Sequence, residues 1–213
     1  FHFLAVVVVV TLLASVFLVR ETVQYARAEG DDGDADADLP FVAVLRRATY
    51  GDTTLFAAAQ AGHVENFVDT LVWIAFPIYL TAQELPIDAV GFIVGVHSAA
   101  YFLQIATGGL VDRIGRKPPV VVGMFVAGAG VLGMTAVDGY VAWTALSLVS
   151  GVGMALLYPN LMTVPGDACH PSWRATGMGV YRMWRDAGYG VGAILIGGVM
   201  TVASVEAAFH VVG

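Results

Sequence analysis

The sequence predicts an all-α fold, a polytopic membrane helix bundle, and three observations carry that reading. Apolar residues make up 58% of the 213, charged residues 13%, and the mean hydropathy is +0.76. A soluble domain is about half apolar and about a quarter charged, so here the bilayer must serve as the solvent. Apolar runs recur at about 20 residues, the length needed to cross about 30 Å of hydrocarbon. All ten Lys and Arg residues fall on alternate connections between those runs. Backbone groups in lipid must be satisfied within their own segment, which makes the runs helices. The ten-residue alternation of a membrane barrel is absent.

Six spans are expected, at about 1–19, 65–83, 89–109, 119–137, 140–163 and 183–202, with a seventh starting near Ala207. Residues 20–61 form a linker and 62–213 the main bundle. The first span resembles a signal peptide only in its Ala26-Arg27-Ala28 sequence. It lacks a basic leading segment and its apolar run is too long, so a retained span is the better reading. Phe1 lies inside that run, which points to a fragment.

The linker holds the one stretch that cannot bury apolar area: residues 29–38 carry six acids in ten positions and should be disordered. Asp32, Asp34 and Asp36 imitate an EF-hand loop, but Ala37 and Ala43 stand where Gly and Glu are required, so no calcium site is expected. After Pro40, the residues Phe41, Val44, Leu45 and Ala48 recur at helical spacing and predict a short helix on the membrane surface. Asp52 or Thr53 should cap the helix that enters the second span.

Charge fixes the orientation. Arg20, Arg27, Arg46, Arg47, Arg113, Arg116, Lys117, Arg174, Arg182 and Arg185 share one side, whereas Glu84, Asp88, Asp138 and Glu206 hold the other. The basic loops are therefore expected in the cytoplasm, in a plasma-membrane protein. The net charge of −7 argues against nucleic acid as a partner, and a single cysteine, Cys169, excludes an internal disulfide or a thiolate metal site. No metal or cofactor is expected. Gly128, Gly130 and Gly133 spell a dinucleotide fingerprint but lie in the fourth span, where small residues serve close helix packing. Gly188 with Gly192, and Ser147 with Gly151 and Ala155, read the same way. No span carries a nucleophile or ligand set of the kind an enzyme needs, so the chain is not expected to be an enzyme.

Polar residues inside the spans mark candidate sites. His97, Tyr101 and Gln104 share one face of the third span. His97 sits near mid-membrane, where an ionisable group is costly and usually faces a cavity. It is either a proton-sensitive site or a neutral histidine bonded to another helix. Glu65 and Asp69 lie one turn apart in the second span, Asp69 about 6 Å inside the boundary by helical rise. Arg182, Arg185 and Asp186 cluster at the start of the sixth. These charges form either a gate on the cytoplasmic side or static ion pairs. Pro77, Pro159 and Asn160 could kink their spans and free carbonyls toward a cavity.

The loop Gly108-Gly-Leu-Val-Asp112-Arg113-Ile-Gly115-Arg116-Lys117 is short, basic and tightly turned. Asp112 could accept from the amides of a neighbouring helix start, or the loop could set topology alone. Its pattern resembles the signature loop of the major facilitator superfamily. Two further stretches, Asn66 to Pro77 and Arg174 to Tyr189, resemble segments of efflux-like members. The resemblance implies helices six to eleven and the start of twelve, that is, a C-terminal six-helix half truncated at both ends. It also implies secondary transport of a small organic solute by alternating access, with the absent N-terminal half as partner. Proton-coupled efflux is the specific expectation: His97 and Asp69 carry H+, and Tyr101, Gln104, Tyr158 and Asn160 line the substrate path. The alternative is a non-transporting membrane protein, a half-sized remnant or an assembly subunit.

Overall fold

The computed structural model describes residues 39–212, so the predicted first span and the acidic stretch 29–38 lie outside the described residues. Among the described residues every regular element is helical. In chain order these are α1 (Phe41–Arg46), which runs into a π-turn (Arg47–Gly51), α2 (Thr53–Thr70), a second π-turn (Leu71–Ala75), α3 (Phe76–Ala82) and α4 (Ile87–Ala99). A 3-10 turn (Ala100–Leu103) leads into α5 (Gln104–Ile114), followed by α6 (Lys117–Met134), α7 (Tyr140–Ala168), α8 (Arg174–Val202) and α9 (Val205–Val212). Three helical segments, Ile87–Ala106, Lys117–Met134 and Tyr140–Ala168, are long and apolar enough to cross a membrane. They coincide with the third, fourth and fifth runs of the sequence. The second and sixth runs are also helical, but their helices begin well before the apolar part and carry the charged residues of the site.

Local chemistry explains the irregular joints. Asp52 is extended and caps α2, accepting from the amides of Thr54 at 2.8 Å and Leu55 at 3.0 Å. Pro77 has no amide hydrogen and its ring crowds the preceding turn, which accounts for the π-turn at Leu71–Ala75 just before it. Gly115 closes α5 with φ +82°, and α6 starts two residues later at Lys117. That abrupt reversal uses the conformational freedom only glycine has. Pro159 and Pro165 sit inside α7 without ending it.

Small residues determine how closely the helices approach. Gly130 of α6 lies against Ser150 of α7, so close that an added Cβ would stand 2.7 Å from the Ser150 nitrogen. Gly123 meets the Gly153 carbonyl in the same way, and Gly153 packs against the backbone of Ala127. The glycines of the dinucleotide-like run thus serve packing at Gly130 and Gly133. Ser147 adds a hydrogen bond of 2.7 Å to the Ile93 carbonyl and ties α7 to α4. The central core runs from Leu71, Phe76 and Ile93 through Val131, Met154 and Leu157 to Ile196 and Phe209.

The short linker helix differs from its expectation as a purely membrane-surface element. Val44 and Ala48 are buried against Cys169, Trp173 and Val180, whereas Phe41 and Val42 point outward. It docks on the end of the bundle. Arg47 stacks over the Trp173 ring at 5.4 Å, and the Trp184 indole donates to Thr49 at 3.0 Å. Burial pushes the Cys169 thiol up to about 11, in keeping with a packing role.

Candidate functional site

Asp69 is the hub of a buried polar network on α2. Its carboxylate faces inward: Val68, Asp69 and Thr70 are all buried at the close of the helix. Its Oδ1 accepts from the Tyr101 hydroxyl at 2.8 Å and faces His97 Nε2 at 3.3 Å. Its Oδ2 accepts from the Tyr189 hydroxyl. His97 Nε2 also lies 3.1 Å from the Tyr101 oxygen, so a hydrogen on Nε2 satisfies both acceptors, as the network assigns it. One carboxylate thereby joins α2 to the α4 segment through His97, to the 3-10 turn through Tyr101, and to α8 through Tyr189. His97 is fully buried, and its Nδ1 has no partner among the described residues.

The backbone around this network is irregular on both sides. The π-turn starts two residues after Asp69, and the 3-10 turn starts three residues after His97. Such interruptions inside long helices often mark hinges, strained sequence or functional sites. Gly151 holds His97 in place: a Cβ there would strike the His97 carbonyl. Gly188 performs the same service for α2, since its Cβ would meet the His63 carbonyl.

One turn toward the basic end stands the second part of the site. Glu65 receives a two-pronged contact from Arg185, with Nε to Oε2 at 3.0 Å and Nη2 to Oε1 at 3.1 Å. Arg185 also reaches Asp186 at 3.2 Å and lies over the Tyr158 ring at 4.8 Å. Burying two charges is favourable only with such complete pairing. Asn66 donates to the Arg185 carbonyl at 2.8 Å, and His63 Nδ1 to the Trp184 carbonyl at 2.8 Å. The α2–α8 contact is therefore polar along nearly two turns.

The predicted candidates separate into groups. His97, Asp69 and Tyr101 come together, as do Glu65, Arg185, Asp186 and Tyr158. Arg182 is exposed and stands outside the Glu65 pair. Gln104 is half-buried at the start of α5. Asn160 is buried, but its amide donates to the Leu156 carbonyl of its own helix at 2.6 Å. In the signature loop, Arg116 binds Asp167 at the end of α7 at 2.7 Å, while Arg113 and Lys117 are exposed. Gly108 has open space beside it, and the Asp112 side chain lies outside the described residues. Among the described residues no group of His, Cys, Asp or Glu could hold a metal ion. Four members of the site escaped the sequence reading: His63, Asn66, Tyr189 and Asp167. Tyr189 was open to discovery: Glu65 and Asp69 are four apart, and so are Arg185 and Tyr189, which matches two facing helices turn for turn.

Comparison with known families adds the deciding observation. The family model of the Major Facilitator Superfamily matches residues 61–213, most of the chain. The chain belongs to the major facilitator superfamily. It is thus a membrane protein of a transporter family, and that family is not enzymatic. Searches of curated proteins and of solved structures return no match.

Proposed function

We propose that the protein is a proton-coupled secondary transporter that exports a small organic solute across the plasma membrane, with its basic loops in the cytoplasm. The observation that carries this reading is the Asp69 network, a buried carboxylate bonded to His97, Tyr101 and Tyr189 between membrane helices. Ionisable groups in such places are costly and are kept for proton or ion pathways. A carboxylate can accept all three hydrogen bonds. A protonated carboxyl must give up at least one acceptor position to its own hydrogen. Protonation of Asp69 removes the charge that strengthens these three bonds and turns one oxygen into a donor, which weakens the tie of α2 to α8 and to the 3-10 turn, and solute and proton compete for the same helix arrangement. Glu65 and Arg185 are the gate at the basic end: they hold α2 to α8 when that end is closed and part when it opens. Tyr101, Gln104, Tyr158 and Asn160 lie along the solute path. In alternating access, this bundle rocks against a second bundle about a midplane site.

In vesicles containing the full protein, a panel of small organic solutes identifies the one that drives a change of internal pH. His97→Ala and Asp69→Asn are expected to abolish that change at undiminished expression. Proton flux that persists in both variants sinks the coupling assignment.

A further inference from the structure

We infer that the cleft between α2 and α6 is a binding site for one anionic phospholipid, with its headgroup at Lys117 and one acyl chain running inward along α7. The cleft comprises two adjoining cavities of about 550 and about 340 Å³. The first opens at the basic end, between Thr53 and Thr54 of α2 and Arg116 and Lys117 at the start of α6. Below that mouth the walls are apolar: Ala57, Ala61, Val120 and Leu161, then Val68 and Phe125 in the second cavity. From Ala57 to Val68 the helical rise is about 16 Å, close to the hydrocarbon depth of one leaflet, about 15 Å.

Three features select a lipid with a negative head. Exposed charge stands at the mouth, while Glu65 in the deeper wall is buried and paired with Arg185. Arg116 is already engaged by Asp167, while Lys117 is exposed and, among the described residues, no ion pair holds it. Pro118 and Pro119 begin α6 and have no amide hydrogens, so the mouth attracts an anion through side-chain charge and the threonine hydroxyls. The rims of the cleft, Phe56 and Val64 on α2 and Val121 and Phe125 on α6, are exposed apolar residues. The cleft thus opens sideways to hydrocarbon, the route by which an acyl chain enters. Glu65 backs the deeper cavity, so the bound chain packs on the same turn of α2 that carries the gate. This inference needs the chain to be in a membrane and is independent of proton coupling.

The test is native mass spectrometry of the full protein released from detergent with phosphatidylglycerol or phosphatidylcholine of equal chain length. One phosphatidylglycerol should be retained in preference to phosphatidylcholine. Lys117→Gln should weaken its retention about fivefold, the worth of one cation beside a membrane surface. Ala61→Trp fills the cleft and should abolish it, whereas Arg182→Gln, an equal charge change on α8 away from the cleft, should leave it intact. Equal retention of the two lipids, an equal loss in Arg182→Gln, or displacement by inorganic phosphate alone would overturn the assignment. Should Ala61→Trp fail to fold, the contrast between Lys117→Gln and Arg182→Gln decides.

Discussion

Helices α6 and α7 meet through Gly123, Gly130, Ser150 and Gly153, with backbone against backbone. Helices α2 and α8 also approach closely, at Gly188 and Gly192, yet they meet through Glu65, Asn66 and Asp69 on one side and Arg185 and Tyr189 on the other. The first contact is held by dispersion and shape, which no proton can alter. The second is held by hydrogen bonds whose strength depends on where protons sit. A bundle built this way has one apolar seam and one polar, titratable seam. The glycines at both seams show that close approach by itself does not distinguish them; the groups brought together do.

Breaking one partner of the polar seam should have the largest effect on stability. Arg185→Gln leaves Glu65 buried without its counter-charge, a loss of about 3–5 kcal/mol. Thermal unfolding in detergent should show it, and the double variant Glu65→Gln with Arg185→Gln should recover much of the loss. A double variant as unstable as Arg185→Gln alone would remove the pair from the account. Next comes the apolar seam. Gly130→Val drives a side chain into the Ser150 backbone and should cost about 1–3 kcal/mol by overpacking, at every pH. A pH-dependent loss there would blur the contrast between the seams. Smaller again is Asp52→Ala, which removes the cap of α2 outside both seams at about 1 kcal/mol, read from the same melting curves. A larger drop would mean that Asp52 does more than cap.

Much of this was legible in the amino-acid sequence, for identifiable reasons. Apolar runs of membrane length mark where helices lie, because lipid permits little else. The glycine and serine stripes announced close packing, and Gly130, Gly151 and Gly188 are found at such contacts. His97 stood out because an imidazole inside an apolar run has to find a partner. That the partner is Asp69, 28 residues earlier, depends on which helices are neighbours, and local pattern carries no such information. The same holds for the Arg116–Asp167 bridge and for α1, whose apolar residues suit a lipid surface and a bundle end equally well. Asn160 is the converse: its amide bonds a carbonyl of its own helix, so its polarity is met without a partner on another helix.

Protons are expected to open the α2–α8 seam and to leave the α6–α7 seam unchanged. Spin labels at exposed Gln60 and Met183 report the first seam, and labels at exposed Val122 and Thr163 report the second. Cys169 is buried and its thiol is held up at about 11, so it stays unlabelled near neutral pH. Pulsed electron resonance distances should be recorded in bilayers while the medium is taken from about pH 8 to about pH 3.5, a range that takes in the ordinary titration of a carboxyl. The Gln60–Met183 distribution should lengthen as pH falls, the Val122–Thr163 distribution should hold still, and Asp69→Asn should remove the response. Distances that are the same at both ends of the range, or that lengthen equally at both seams, would contradict the account.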